Sequence, residues 1–555
     1  MVKLNGIAAS KGVAIGKLHF FNNVQRKVKL ELSESPEQEL ERFESARLRA
    51  LKTLDDLHSQ AMEQVGPEDS MIFGAQQALL NDRDYINSVE DLISREHYVA
   101  EYAVQRTGER LAEMISRLDN AYLKERSSDM VDVSNRMVRQ LNGELAKDLS
   151  DIQGPIILAA EDLLPSETIQ MDPKKVQAFV TSAGSRTSHA SILSRTMGIP
   201  AVVGLQEQLS ALQEGALVVV DGFQGVVIQD PDEATLREYE RKQQAFLDYR
   251  RQLNRLKGAE SRTLDGKKVV LCCNINYPSE VRLVLENDGE GIGLFRSEML
   301  CLERDGFPSE EEQFQAYREV LERMSGRRVV IRTMDLGADK KVSYLRLPPE
   351  QNPAMGCRGI RLSLQYPEYF KQQLRALMRA SVYGKLAVIF PMVSTLEEVR
   401  EAKKLWREVE RELYTEGLRV ERPIELGAMI ETPAAALISD MLAREVDFFS
   451  IGTNDLTQYV MAADRNNSRI DSALNDPCHP AVLRLVRITA ENARARGIWC
   501  GVCGESASDD RLTETFLRMG ISELSVAPAS ILELRKRIRS IDLSVPEAQR
   551  TAECL

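Results

Sequence analysis

Residues 425–456 read ELGAMIETPAAALISDMLAREVDFFSIGTNDL. Two short apolar runs, 425–430 and 447–451, flank a helical stretch. Each run ends in a polar cluster, Glu431-Thr432-Pro433 and Gly452-Thr453-Asn454-Asp455. Buried parallel strands joined by a helix have this pattern. The alternation continues on both sides, with further strand candidates at 269–275, 291–295, 328–334, 357–360, 386–392 and 498–502. Eight candidates over about 250 residues match a (β/α)8 TIM barrel in count and length, with a doubly wound sheet as the alternative.

Upstream the texture differs. Residues 32–145 read as nearly continuous helix. Ser35-Pro36-Glu37-Gln38 is a start signal, and Leu40, Phe43, Ala50, Leu54, Leu57 and Ala61 form an amphipathic face. Further helical runs at 70–80, 84–95, 100–118 and 127–141 make this block a bundle. Short apolar runs at 155–159, 176–181, 201–203 and 217–220, with 7–9 and 13–16 near the start, indicate a small α/β domain into which the bundle is inserted. The charged stretch 231–260 reads as a linker helix.

The chain has 555 residues, enough for roughly three to four domains, and 43% of them are hydrophobic. A formal charge of −12 argues against a nucleic-acid binder or a binder of anionic membrane surfaces. No apolar run approaches the length of a membrane span, and MVKLNGIAAS is no signal peptide. The expectation is a soluble, cytoplasmic protein with no direct membrane insertion. All eight cysteines lie at position 272 or beyond, unlike a secreted disulfide framework. Cys500 and Cys503 have the spacing of a thioredoxin-like pair, but such pairs open a helix rather than end a strand. Zinc is disfavoured, because no second cysteine pair stands nearby.

On a barrel, functional groups belong at the carboxyl ends of the strands. Arg296, Arg332, Arg358 and Arg465 fall at or near such ends, and guanidinium forks bind phosphate and carboxylate oxygens. Glu431 and Asp455 are hard oxygen donors suited to Mg²⁺, with substrate and water completing the shell. Taken singly, each of these reads equally as a surface ion pair or a solvated carboxylate. Cys503 is either a proton donor or acceptor, or a buried small apolar residue.

The second informative stretch is GSRTSHASILSR, 184–195. His189 has a Gly/Ser/Thr-rich approach followed by a helical pattern. A helix N-terminus would keep the imidazole neutral and nucleophilic, and would then stabilise a phosphoryl group on it. A structural histidine in a polar loop is the alternative.

Together, 184–195 and DFFSIGTNDLTQY at 447–459, with Arg465 beyond it, resemble the two signatures of the phosphoenolpyruvate-utilising enzymes. EGIGLFRSE (290–298), FPSEEEQF (307–314), RTMDLG (332–337), 352–361 and YLKER (122–126) narrow the resemblance to the enzyme I group of the bacterial phosphoenolpyruvate:sugar phosphotransferase system. The resemblance implies a homodimer formed through the barrel. In it, phosphoenolpyruvate is held by Arg296, Arg332, Asn454, Asp455 and Arg465, with Arg358 assisting, and Mg²⁺ lies on Glu431 and Asp455. It further implies that His189 becomes phosphohistidine while Cys503 protonates the enolate to pyruvate. The phosphoryl group then passes to a histidine of a small phosphocarrier protein, the first step of sugar uptake. Ser185 departs from the Gly or Ala usual there. No sensor domain precedes Gly6 and no ATP-binding domain is evident, which argues against the nitrogen-regulatory and dikinase relatives.

The expected division is a swivelling α/β phosphohistidine domain (1–31 and 146–230), an inserted carrier-binding bundle (32–145), a linker helix (231–260), the phosphoenolpyruvate-binding and dimerising TIM barrel (261–540) and a tail (541–555). Competing readings are a barrel-only Mg²⁺-dependent pyruvate or phosphoenolpyruvate lyase and a non-catalytic regulatory binder.

Overall fold

Short runs of β-branched and small apolar residues near both ends of the first 250 positions assemble into one mixed eight-stranded sheet. Its strands are β1 (Val2–Asn5), β2 (Ile7–Ser10), β3 (Val13–Phe20), β4 (Ile156–Ala160), β5 (Val176–Thr181), β6 (Ala201–Val203), β7 (Leu217–Asp221) and β8 (Val226–Gln229). Their order is β1-β8-β7-β3-β4-β5-β6-β2. The period-two alternation sorts the side chains. Ile157, Ala159, Ala178 and Val180 pack on one face, and Leu158, Ala160 and Phe179 on the other. The computed structural model describes all residues except 22–27, 29, 65–66, 117–120, 144–153, 164–174, 186–187, 189–190, 192–193, 196–197, 303–305, 338–341, 346, 349, 466, 468 and 546–555. The chain divides into two units, Met1–Arg250 and Arg251–Leu555.

Among the described residues five helices lie between β3 and β4 in the chain: α1 (Pro36–Gln64), α2 (Pro67–Leu80), α3 (Arg83–Ser94), α4 (Ala100–Ser116) and α5 (Ala121–Leu141). β3 and β4 are themselves neighbours, paired parallel with Lys17 opposite Ile156. The helices thus fill one crossover of the sheet. Phe43, Ala50, Leu54 and Leu57 of the amphipathic face are buried against Phe73, Tyr85, Val89, Val104, Val133 and Met137. Asp82 caps α3 by accepting from the N–H groups of Asp84 and Tyr85. The close crossing of α4 and α5 requires Gly108, where a Cβ would stand 1.9 Å from Ser134 Oγ.

In the second unit eight parallel strands close on themselves: β9 (Val270–Ile275), β10 (Gly291–Arg296), β11 (Val329–Arg332), β12 (Leu386–Phe390), β13 (Glu425–Ile430), β14 (Phe448–Ile451), β15 (Trp499–Val502) and β16 (Glu523–Val526). The barrel is the expected one, with two corrections to its strands. Residues 357–360 are not a strand. Gly359, at φ +59°, turns the chain into the helix Ile360–Gln365, within the long connection from β11 to β12. The run at 498–502 is the seventh strand, and the eighth is Glu523–Val526. Its inward positions are polar: Glu523 pairs with Arg328, and Ser525 Oγ donates to Asn274 Oδ1 at 2.6 Å. Those two polar residues hide the apolar signature by which the other strands are read.

Outward side chains of the strands join a large core with the surrounding helices, among them Glu310–Arg323, Pro367–Ala380, Leu396–Thr415 and Pro480–Arg496. Inward side chains form a separate cluster of Leu294, Val330, Ala387, Ile389, Met429, Phe448 and Cys503. The barrel is therefore filled, and what lies above that filling is presented at its mouth.

Candidate active site

Strand ends carry several of the functional groups at this mouth. Arg296 ends β10 and Arg332 ends β11, while Glu431 and Cys503 directly follow β13 and β15. Asn454 and Asp455 occupy the first turn of the helix Thr453–Met461 after β14. That helix directs its N-terminal N–H groups and the positive end of its dipole to the same place. Arg358 comes instead from the β11–β12 connection, and Arg465 from the loop beyond the helix Thr453–Met461.

Their partners make one connected cluster. Arg332 is buried, pairs with Glu298, and stands 3.3 Å from Asp335 Oδ2. Arg358 is buried too. Its Nη2 donates to Asp335 Oδ2 at 3.0 Å and its Nη1 to Asp455 Oδ1 at 3.3 Å. Nη1 also reaches Tyr459 Oη at 3.3 Å. Arg465 is more exposed, 3.9 Å from Asp455 Oδ2. Arg296 donates to Asn276 Oδ1 at 3.1 Å. Asn454 is pinned to Glu505, donating to its carboxylate at 3.3 Å and accepting from its backbone N–H at 2.9 Å. Burial opposes the charges on Arg332 and Arg358, but the surrounding carboxylates outweigh it and hold both guanidiniums charged.

Glu431 is fully buried, and its Oε1 accepts from the Met392 N–H at 2.6 Å. A Cβ on Gly452 would come within 2.8 Å of its Oε2. Burial, followed by the charges of Asp455 and Asp335, raises Glu431 above the ordinary carboxylate range. Mutual repulsion between buried carboxylates is what a divalent cation relieves, so Glu431 and Asp455 suit one. Among the described residues no group of three or more His, Cys, Asp or Glu is arranged around a metal.

Cys503 points inward and is buried, while Cys500 belongs to the outer core. They face opposite sides of the strand, which excludes a thioredoxin-like pair. Burial pushes the Cys503 thiol up to about 11, with the Glu431 charge adding to the shift. At neutral pH it is a thiol with a proton to give.

His189 lies outside the described residues. Around it, the Ser185 carbonyl accepts from Ser188 Oγ at 2.9 Å and Ser191 Oγ at 2.6 Å, following Gly184 at φ +109°.

Three groups at the mouth were not singled out from sequence: Glu298, Asp335 and Tyr459. Asp335 had a legible signal, since it stands three residues beyond Arg332 in RTMDLG. Arg296, Arg332, Arg358 and Arg465 are matched in number by Glu298, Asp335, Glu431 and Asp455.

Three family models match in chain order: the PEP-utilising enzyme N-terminal domain at residues 5–126, the mobile domain at 152–225 and the PEP-binding domain at 250–543. A phosphoenolpyruvate-protein phosphotransferase of Priestia megaterium is 42% identical over 97% of this chain and 94% of its own. One of Bacillus subtilis (strain 168) is also 42% identical, over 100% of this chain and 96% of its own. An NMR solution structure of Enzyme I (nEIt) protein is 37% identical, covering 44% of this chain and 99% of that one, with a TM-score of 0.40. The chain belongs to the phosphoenolpyruvate-protein phosphotransferase family of PEP-utilising enzymes.

Proposed function

We propose that the chain takes the phosphoryl group of phosphoenolpyruvate onto His189, releases pyruvate, and passes the group to a histidine of a small phosphocarrier protein. This is the first step of sugar uptake by the phosphotransferase system. The observation that carries the reading is the mouth of the barrel. Four arginines, two carboxylates fit for a divalent cation and a protonated thiol converge there, in a chain similar along its whole length to phosphoenolpyruvate-protein phosphotransferases.

Arg296, Arg332 and Arg465 bind the phosphate and carboxylate of phosphoenolpyruvate, with Asn454 and Arg358 assisting. Mg²⁺ would be held by Glu431 and Asp455, where it supplies charge neutralisation at the phosphoryl oxygens. His189 attacks phosphorus in line. An N–P bond forms, the bond from phosphorus to the enol oxygen breaks, and its electron pair becomes the enolate. Cys503 gives its proton to the methylene carbon of the enolate, and pyruvate results. The thiolate left behind is reprotonated from solvent before the next turnover.

For His189 to serve both barrel and carrier, the segments 1–31 and 146–230 move as a swivelling unit on the 231–260 linker. The carrier docks on 32–145, and the barrel (261–540) dimerises. No described helix is long and apolar enough to cross a membrane. The proposed site of action is the cytoplasm, where the phosphocarrier protein would meet the chain. A barrel-only lyase leaves the two N-terminal family regions without a role. Phosphoenolpyruvate labelled in its phosphoryl group, with Mg²⁺, is expected to leave acid-labile label on the wild-type chain and none on His189→Ala. Label persisting in His189→Ala would contradict the assignment.

A further inference from the structure

Gln373 lies on the helix Pro367–Ala380 among the apolar residues Phe370, Leu374 and Leu377, and is 1% exposed. Packing alone would favour a leucine there, because an amide is costly to bury unless its hydrogen bonds are made. All of them are made, and they run toward the barrel mouth. Oε1 accepts from the Met334 N–H at 2.9 Å, and Nε2 donates to Ser297 Oγ at 2.9 Å and Tyr317 Oη at 3.0 Å. Ser297 Oγ in turn donates to the Arg332 carbonyl. Ser297 follows Arg296 directly, and Met334 stands between Arg332 and Asp335 in the chain. One buried amide therefore ties the loop that carries Arg296 to the loop that carries Arg332 and Asp335.

We infer that Gln373 is a positioning residue that fixes the spacing of Arg296 and Arg332 for phosphoenolpyruvate, an inference that rests on the function proposed for the barrel mouth. It touches no reacting atom. Its effect passes through the backbone of the two arginine-bearing loops, where displacements of an ångström are felt strongly. Gln373→Met keeps the volume and removes every polar contact. Ser297→Ala removes the hydrogen bond that Gln373 Nε2 makes to the Arg296 loop and, with it, the link to the Arg332 carbonyl. Tyr317→Phe deletes a hydrogen bond to the same amide but keeps the ring and leaves the Gln373 links to Ser297 and Met334 in place.

The test is steady-state phosphorylation with phosphoenolpyruvate and Mg²⁺, read as a split between KM and kcat, beside the thermal midpoint of each full-length variant. In Gln373→Met and Ser297→Ala the KM for phosphoenolpyruvate is expected to rise about tenfold, whereas Tyr317→Phe stays within about twofold at a comparable loss of thermal stability. Loading of His189 in reverse, from phosphorylated carrier, is expected to be unchanged in all three. If Gln373→Met does not fold, Ser297→Ala decides. A KM within about twofold of wild type in the arginine-linked variants overturns the inference. So does a Tyr317→Phe effect as large as theirs. Failure of the underlying function is a separate result: the wild-type chain itself takes no label.

Discussion

Arg328 and Arg332 both project into the barrel from the β11 segment, one near each end, and each pairs with a buried glutamate. At the amino end the Arg328 guanidinium meets Glu523 and lies 3.9 Å from the Trp499 ring centroid. Trp499 is itself stacked on Phe448 at 4.1 Å. Glu425 is the next carboxylate, at 3.9 Å. That end is plugged by aromatic rings. At the carboxyl end Arg332 pairs with Glu298 and shares Asp335 with Arg358, which reaches on to Asp455. The same residue pair is thus a strut at one end and part of a binding site at the other. What separates them is the company: rings that exclude ligand, or a network of unlike charges that an anion and a cation can enter together.

The contrast can be broken most decisively by removing carboxylates. Glu431→Gln or Asp455→Asn is expected to cut phosphoenolpyruvate-dependent labelling by about 10³-fold while the protein stays folded. Glu523→Gln should do the reverse. It leaves Arg328 buried without its close partner, costing about 3 kcal/mol in denaturant unfolding, while labelling by the folded protein stays near wild type. Activity lost in proportion at both ends would erase the distinction.

Smaller effects sharpen it. Cys503→Ala is expected to slow pyruvate formation about 100-fold. Because the folded-state thiol is raised to about 11, its proton-donating form persists through neutral pH and is lost only as pH rises toward that value. The wild-type rate should therefore show no decline from thiol ionisation between neutrality and mildly alkaline pH, measured as a pH–rate profile. Gly452→Ala, whose Cβ would press within 2.8 Å of Glu431 Oε2, should cost about tenfold in activity. Least of all, Glu416→Gln on the surface, which loses a 2.6 Å pair with Arg375, should leave the thermal midpoint close to that of the wild type.

Much of this was legible in the chain. Strands β12 to β15 are largely apolar runs, and β13, β14 and β15 each lead into a polar cluster, so Glu431, Asp455 and Cys503 are legible at strand ends from the sequence. β16 escaped because Glu523 and Ser525 are satisfied by partners distant in sequence, among them Arg328 and Asn274. The 357–360 run misled because its apolar residues suggested extension, whereas Gly359 at φ +59° bends the chain into a helix. Glu298, Asp335 and Gln373 were visible as letters but not as roles. A buried carboxylate or amide takes its meaning from partners that only the closed barrel supplies.

The central claim is a phosphorylated enzyme intermediate formed from phosphoenolpyruvate, and isotope exchange tests it most directly. With Mg²⁺ and no carrier, the wild-type chain should move label from pyruvate into phosphoenolpyruvate, and His189→Ala should not. Sustained net release of pyruvate without any acceptor, or exchange that survives in His189→Ala, would contradict the account.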